Sequence, residues 1–378
     1  MPVEIKKVTK KSDLKRFIRF NYEFYKNNPY SVPDLYDDML NTFSREKNAA
    51  FEFCEADYFL AYKEGKIVGR VAAIINHKAN ERWNKKAVRF GWIDYTDDFE
   101  VSSALISAVK SWGKERGMTE IEGPLGFTDM DAEGMLVEGF EELSTMSTTY
   151  NYSYYASHME RMGFAKSVDW IEMKVYTPEA IPEKYQRISD IIARKYNLHV
   201  RKFKSKKEIY KTGVAHDIFR LINDAYEPLF GYSRMTERQI DQYVKMYVPV
   251  LDLQMVSVVE NEANEIVAVG ISMASLSEAL QKAKGKLWPF GWFYILKALF
   301  WKRPKMLDLL LVAVRPDFQG KGVNALLFTD LIPVYRKLGF EYAETNPELE
   351  MNDKVQSQWQ YFKNVCHKRR RCFTAPLS

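Results

Sequence analysis

Cysteine is scarce in this chain: Cys54, Cys366 and Cys372 are the only three in 378 residues. Their scatter excludes a disulfide framework and a four-cysteine metal site, and a reducing cytoplasm is the expected setting. No charge of one sign dominates. The formal net charge of +5 is too mild to argue for nucleic acid. The opening stretch MPVEIKKVTKKSDLKRF has no apolar core of the kind a secretory signal needs. No apolar run reaches the ~20 residues that cross a bilayer.

What is present is an ordinary globular balance, 46% hydrophobic and 28% charged residues, in a chain long enough for two domains with separate cores. One segment departs from that balance. Leu287 to Trp301 is nearly all apolar or aromatic, with Lys282, Lys284 and Lys286 before it and Lys302, Arg303 and Lys305 after it. Pro289, Gly291 and Lys297 interrupt it. Tryptophans between basic flanks suit a membrane interface, at the inner face of the cell membrane, or a lid over an acyl-chain groove. A buried helix or a dimer contact is the alternative.

Hydrophobic patterning divides the chain into two similar halves. In the first, Tyr58–Tyr62 and Ile67–Ile75 predict a hairpin across Lys63-Glu64-Gly65-Lys66. Val88–Tyr95 predicts a strand, Val101–Trp112 a helix, Thr119–Glu122 a strand, the stretch from Tyr154 a helix, and Ser167–Tyr176 a last strand. The second half repeats the order. Helices at Ile218–Tyr226 and Glu237–Tyr247 precede a hairpin of Leu253–Val259 and Ile266–Ala274, then a strand, glycine loop and helix, and a strand at Phe340–Glu344. The expected class is α/β, two tandem domains, each a mixed central sheet flanked by helices, over residues 1–178 and 183–378.

The second half carries the most informative pattern. Leu309–Val314 is an apolar run of strand length. It leads into Arg315-Pro316-Asp317-Phe318-Gln319-Gly320-Lys321-Gly322-Val323-Asn324, after which Ala325, Leu326, Phe328, Leu331 and Ile332 recur at helical spacing. Loop amides and a helix N-terminus together present N–H donors to an anion, and glycines let the backbone approach it closely. A purely structural turn is the competing reading.

The same residues resemble the acyl-CoA signature of the GCN5-related N-acetyltransferase (GNAT) superfamily, in which Gln or Arg, two residues, Gly, one residue and Gly or Ala surround a pyrophosphate. Gln319 and Gly322 match; Asn324 stands in place of the final small residue. The resemblance implies that Gln319, Gly320, Lys321, Gly322, Val323 and Asn324 hold the pyrophosphate of acetyl-CoA or a longer acyl-CoA. It also places Val312, Ala313 and Val314 beside the thioester. The first half is similar through Glu160-Arg161-Met162-Gly163-Phe164, but Tyr95-Thr96-Asp97-Asp98-Phe99 puts two acids where a diphosphate would lie. Elements such as Val68-Gly69-Arg70-Val71, Glu122-Gly123-Pro124 and Gly134 to Phe140 also resemble a bacterial group of tandem acyltransferase-like proteins.

Acyl transfer to an amine needs a base for the ammonium, donors for the oxyanion and an acid for the thiolate. Alternation along Glu344 to Asn352 would put Glu344, Asn346, Glu348 and Glu350 on one face, with Pro347 interrupting. Glu344 is the first choice of base, Asn346 belongs to the same polar cluster, and Glu350 and Asn352 are candidates to orient the acceptor. Asn352 could instead cap the next helix. Tyr361, at a position where the resemblance suggests a tyrosine, is the candidate acid; Tyr155 and His158 have a similar status in the first half. Asp129 and Asp131 lack nearby histidines, so no metal is expected. His367-Lys368-Arg369-Arg370-Arg371 could grip a CoA phosphate, an acyl carrier protein or anionic lipid, or be a charged strand edge. The expected function is N-acyl transfer from acyl-CoA, or from acyl carrier protein, to an amine, with a lipid-like amine as the narrower expectation. The rival is a non-catalytic membrane or protein adaptor that keeps the fold.

Overall fold

Each half builds its sheet outward from a tight hairpin. In the computed structural model, which describes residues 2–377, Glu64 and Gly65 turn the first hairpin with φ of 54° and 74°, the left-handed pair that a two-residue connection needs. The second hairpin turns at Asn261, whose side-chain oxygen accepts from the Ala263 and Glu265 amides at 3.0 and 2.9 Å.

The chain divides into two compact units. The first takes Met1–Ile171, Ser277–Tyr294 and His367–Ser378; the second takes Glu172–Leu276 and Ile295–Cys366. The strands of the first are β1 (Glu4–Lys7), β2 (Cys54–Lys63), β3 (Lys66–Asn76), β4 (Ala87–Tyr95), β5 (Glu120–Gly123) and β6 (Met135–Glu138), followed by β7 (Ala165–Tyr176). Then come β8 (His199–Arg201), β9 (Val256–Glu260), β10 (Ile266–Ala274), β11 (Met306–Val314), β12 (Tyr342–Thr345), β13 (Glu348–Leu349) and β14 (Asn364–Pro376).

In the first unit β1 to β4 pair antiparallel, β4 and β5 pair parallel, and the Phe373–Pro376 end of β14 closes antiparallel on β5. In the second unit β8 to β11 pair antiparallel, β11 and β12 parallel, and the Lys174–Tyr176 end of β7 closes antiparallel on β12. Both sheets thus have the same order, and each is completed by a strand end contributed by the other half of the sequence.

Helices cover each sheet with the faces that the sequence predicts. Phe99–Lys114 buries Val101, Leu105, Ile106, Val109 and Trp112 in the first core. Asn324–Lys337 buries Ala325, Leu326, Leu327, Leu331, Ile332 and Tyr335 in the second. Among the described residues, no helix is long and apolar enough to cross a membrane.

Candidate functional site

The glycine loop of the second unit leaves a group of donors open. Gly320 and Gly322 adopt φ of 74° and 83°, a region that L side chains rarely enter. A Cβ on Gly322 would stand 3.1 Å from Ile188 Cγ2, whereas one on Gly320 would meet nothing within 4 Å. Gln319 laces the loop to its strand by donating from Nε2 to the Val314 carbonyl at 3.1 Å. The amides of Lys321 and Ala325 bond within the turn. Those of Gly320, Gly322, Val323 and Asn324 have no acceptor among the described residues. Four N–H groups at a helix start favour an anion. Arg315 is held by Asp317 and Glu265, but Lys321 lies over the rings of Phe318 and Tyr196 and pairs with no carboxylate among the described residues, so its charge remains for a ligand.

Beside this loop the sheet forks. β11 and β12 are in register from Met306↔Tyr342 to Leu309↔Thr345 and then part. A bulge at Leu310, opposite the step from Ile271 to Ser272, shifts the β11 register at the same point. The Arg315 amide donates to Val267 on the β10 side, so strand alternation turns Leu310, Val312 and Val314 toward the fork. Their carbonyls are all occupied: Asn346 Nδ2 donates to Leu310 at 2.6 Å, the Tyr226 hydroxyl to Val312 at 3.0 Å, and Gln319 to Val314. With the acceptors on this edge satisfied by side chains, the Val312 and Val314 amides are the polar groups it offers.

Under the fork lies an apolar pocket of about 50 Å³, lined by Leu309 and Val312 of β11, Ala343 of β12, Leu331 and Tyr335 of the covering helix, and Trp359 among others. Its lining is almost wholly apolar. The Trp359 indole nitrogen donates to both carboxylate oxygens of Glu348, at 3.0 and 3.2 Å. Burial pushes the Glu348 carboxyl up to about 7, with the Trp359 bond opposing the shift. Burial also raises the Tyr226 phenol to about 12, with the nearby Glu348 charge adding to the rise. A carboxyl poised near neutrality and a phenol that keeps its proton therefore stand together at the fork.

The sequence candidates fall in different places. Asn346 reaches the fork. Glu344 is buried, in register with Asp308 on one side and Lys174 on the other, and alternation points it to the sheet face opposite Ala343 and the pocket. Asn352 caps the short helix Asp353–Gln356 through the Val355 amide, and the Glu350 carbonyl accepts from Gln356. Tyr361 is partly exposed, hydrogen-bonded to Lys184 and edge-on to Tyr185. Glu348 stood among the alternating residues but had nothing in sequence to set it apart. Tyr226 was only the end of a predicted helix.

No family model matches the chain. It is 26% identical over 333 residues to protein YghO of Escherichia coli (strain K12), covering 86% of this chain and 82% of the relative. It is 27% identical over 354 residues to the bacterial ceramide synthase of Caulobacter vibrioides (strain NA1000 / CB15N), covering 90% of this chain and 89% of the relative. A solved tandem GNAT protein from the clavulanic acid biosynthesis pathway aligns with a TM-score of 0.56 at 12% identity, covering 100% of this chain and 99% of its own. The chain has the tandem GNAT fold.

Within this tandem GNAT fold the first unit lacks the features just described. The Asp98 carboxylate caps the helix Phe99–Lys114 through the Glu100 amide and also takes Lys63 at 2.6 Å, so a carboxylate already occupies that helix start. Leu125 donates to the Phe90 carbonyl at 2.9 Å, and a Cβ on Gly91 would meet the Leu125 carbonyl at 2.4 Å. The chain after β5 therefore fills the space beside β4. Tyr155 and His158 are tied up in packing: the Tyr155 hydroxyl accepts from the Tyr95 amide and pairs with Tyr25, while His158 bonds Ser102. Asp131 accepts from the Thr128 amide in its loop. Among the described residues no group of three or more His, Cys, Asp or Glu is placed to hold a metal.

The basic run His367–Arg371 is consumed by the fold, which corrects its reading as a ligand grip. β14 buries Lys368 and Arg370, at 1% and 0% exposure, with Lys368 donating to the Leu143 carbonyl and Arg370 to Thr149. On the other face Arg369 pairs with Glu138 and Asp169, and Arg371 clasps Asp169 at 2.8 and 3.0 Å. Burial pushes the Asp169 carboxyl up, but the bonds and charges of Arg371 and Lys166 outweigh it and hold the group below its ordinary value. Its stabilisation is therefore present above the unfolded carboxylate range and lost as pH falls through the depressed value. Asp169→Ala, which removes the carboxylate that Arg371 clasps, is expected to cost about 1–3 kcal/mol in urea denaturation at pH 7.

Proposed function

We propose that the chain is an N-acyltransferase that moves an acyl group from acyl-CoA to an amine by direct transfer in its second unit, Glu172–Leu276 and Ile295–Cys366. The observation that carries this is the junction of four open amides at Gly320–Asn324 with an apolar pocket through a forked strand pair. A diphosphate suits the first and an acyl chain the second, with the thioester between them at the fork. When CoA is bound, its thioester supplies the activated acyl group.

This chain's residues do the rest. Lys321 and the loop amides hold the diphosphate. The Val312 and Val314 amides meet the oxyanion. Glu348, ionised above about 7, takes the proton of the acceptor ammonium through hydrogen-bond contact or one water. The amine lone pair forms the new C–N bond, the C–S bond breaks, the departing thiolate takes a proton from Tyr226, and the resulting phenolate takes the second proton from the new C–N nitrogen, leaving an amide, free CoA thiol and the Glu348 proton to pass to solvent. Glu344 packs the sheet behind this site, and Asn346 fixes the bulge by its bond to Leu310.

The apolar pocket lining supports a hydrophobic acyl group, and the 27% identity to a protein named bacterial ceramide synthase supports a long-chain donor and a lipid-like amine. Titration calorimetry with acetyl-CoA and palmitoyl-CoA tests the reading. Saturable binding of palmitoyl-CoA supports it. Binding of neither would favour acyl carrier protein as donor, or the adaptor. Ala343→Leu adds methyl groups inside the pocket, where Ala343 is buried, and is expected to weaken palmitoyl-CoA about tenfold while changing acetyl-CoA little, since each lost or crowded methylene counts for about 0.8 kcal/mol.

A further inference from the structure

The first unit carries an exposed aromatic projection that its own packing does not explain. Its base is fixed. Gln281 donates to the carbonyls of Pro29 and Ser31, both at 2.9 Å, and the Tyr36 amide bonds to the Gly285 carbonyl at 2.8 Å. Gly285, at φ of 69°, lies so close to Tyr22 that a Cβ would stand 2.3 Å from its ring. Beyond this anchor the chain turns outward. Trp288 and Phe290 are 77% and 69% exposed, and Trp292, Phe293 and Tyr294 are exposed after them. Single exposed apolar side chains are ordinary, but a consecutive set of large aromatics marks a contact surface.

Charge selects the partner. From Ala279 to Tyr294 there is no acidic residue. Lys282 is paired with Glu278, whereas Lys284 and Lys286, both exposed, pair with no carboxylate among the described residues. A second copy of this surface would set these lysines against their like. An anionic bilayer neutralises them, and tryptophan and tyrosine favour the boundary between headgroups and acyl chains. The helix starts only at Gly291, and even if all seven residues from 288 to 294 were helical they would rise only about 10 Å against a hydrocarbon core of about 30 Å, so the segment lies in the interface and does not cross it.

We infer that Trp288–Tyr294, flanked by Lys284 and Lys286, docks the protein on anionic membrane surfaces. This inference stands independently of the chemistry proposed for the second unit. The test is flotation of the full chain with phosphatidylglycerol/phosphatidylcholine vesicles and with pure phosphatidylcholine vesicles, comparing the wild type with Trp288→Ser/Phe290→Ser and with Lys284→Gln/Lys286→Gln. Binding to the anionic vesicles is expected to fall at least tenfold in the aromatic double variant and severalfold in the lysine variant or in high salt. Thermal melting should be unchanged, because the substituted side chains are exposed. Equal flotation of the aromatic variant and the wild type, equal affinity for neutral vesicles, or concentration-dependent dimerisation of the wild type without vesicle binding would each overturn the inference.

Discussion

Glu348→Gln is expected to lower kcat by about 10²- to 10⁴-fold, the range for loss of a general base, while leaving palmitoyl-CoA affinity near that of the wild type. The reason lies in the separation of roles at the fork. In the proposed mechanism donor affinity comes from the loop amides and the apolar pocket, whereas Glu348, engaged by Trp359, acts on the acceptor. The pH profile gives a second, independent readout. With its carboxyl raised to about 7, activity should rise with pH through that value and then level, and the limb should vanish in Glu348→Gln. The same shift fixes the sign of the stability effect. A carboxyl that titrates at about 7 when folded, against an ordinary value of 4.5, contributes fully below the lower figure and loses that contribution as pH rises to the higher one. Glu348→Gln should therefore melt at a higher temperature than the wild type above pH 7. Glu344→Gln, altered on the opposite sheet face, should change stability more than it changes the pH profile. If it instead abolishes turnover with folding intact and Glu348→Gln does not, the base is Glu344.

Gly322→Glu should weaken acyl-CoA binding at least about a hundredfold, or about 2.7 kcal/mol. Several effects act together. A side chain at φ of 83° costs about 1–2 kcal/mol in backbone strain, and its Cβ presses on Ile188. The carboxylate would then stand among the amides that are to receive a diphosphate, competing for them and repelling the ligand. Gly320→Ala is the matched control: φ is again positive, but nothing lies within 4 Å of the new carbon. It should lose about 1 kcal/mol of stability and keep donor affinity within a few-fold. Equal loss of binding in both variants would mean that the loop acts through its general conformation and not through these amides.

The hairpins, the paired strand and helix order and the glycine loop were readable because each rests on local rules: alternation, helical spacing and turn chemistry. Ile266–Ala274 was recovered to the residue, since Asn261 and the apolar alternation both mark it. The candidate site was less legible, because its chemistry depends on burial. Glu348 and Glu344 look alike in sequence; only the folded packing around the fork shows that burial raises the Glu348 carboxyl toward neutrality, against the opposing bond from the Trp359 indole. The three side chains that occupy the fork-facing carbonyls come from Tyr226, Gln319 and Asn346, too far apart in sequence for any local pattern to join them. His367–Arg371 misled for a related reason. A run of five basic residues looks solvent-facing, but strand alternation buried Lys368 and Arg370 against backbone carbonyls and gave Arg369 and Arg371 a shared carboxylate.

The central claim is that the fork of the second unit joins an acyl thioester to an amine. The most direct measurement is release of CoA thiol from palmitoyl-CoA with and without a long-chain amine, with mass spectrometry of the product and Glu348→Gln alongside. The account predicts amine-dependent thiol release matched mole for mole by amide, rising with pH through about 7 and lost in the variant. Saturable palmitoyl-CoA binding with no amide formed from any long-chain amine, at any pH, would contradict it and leave a protein that holds the donor without using it.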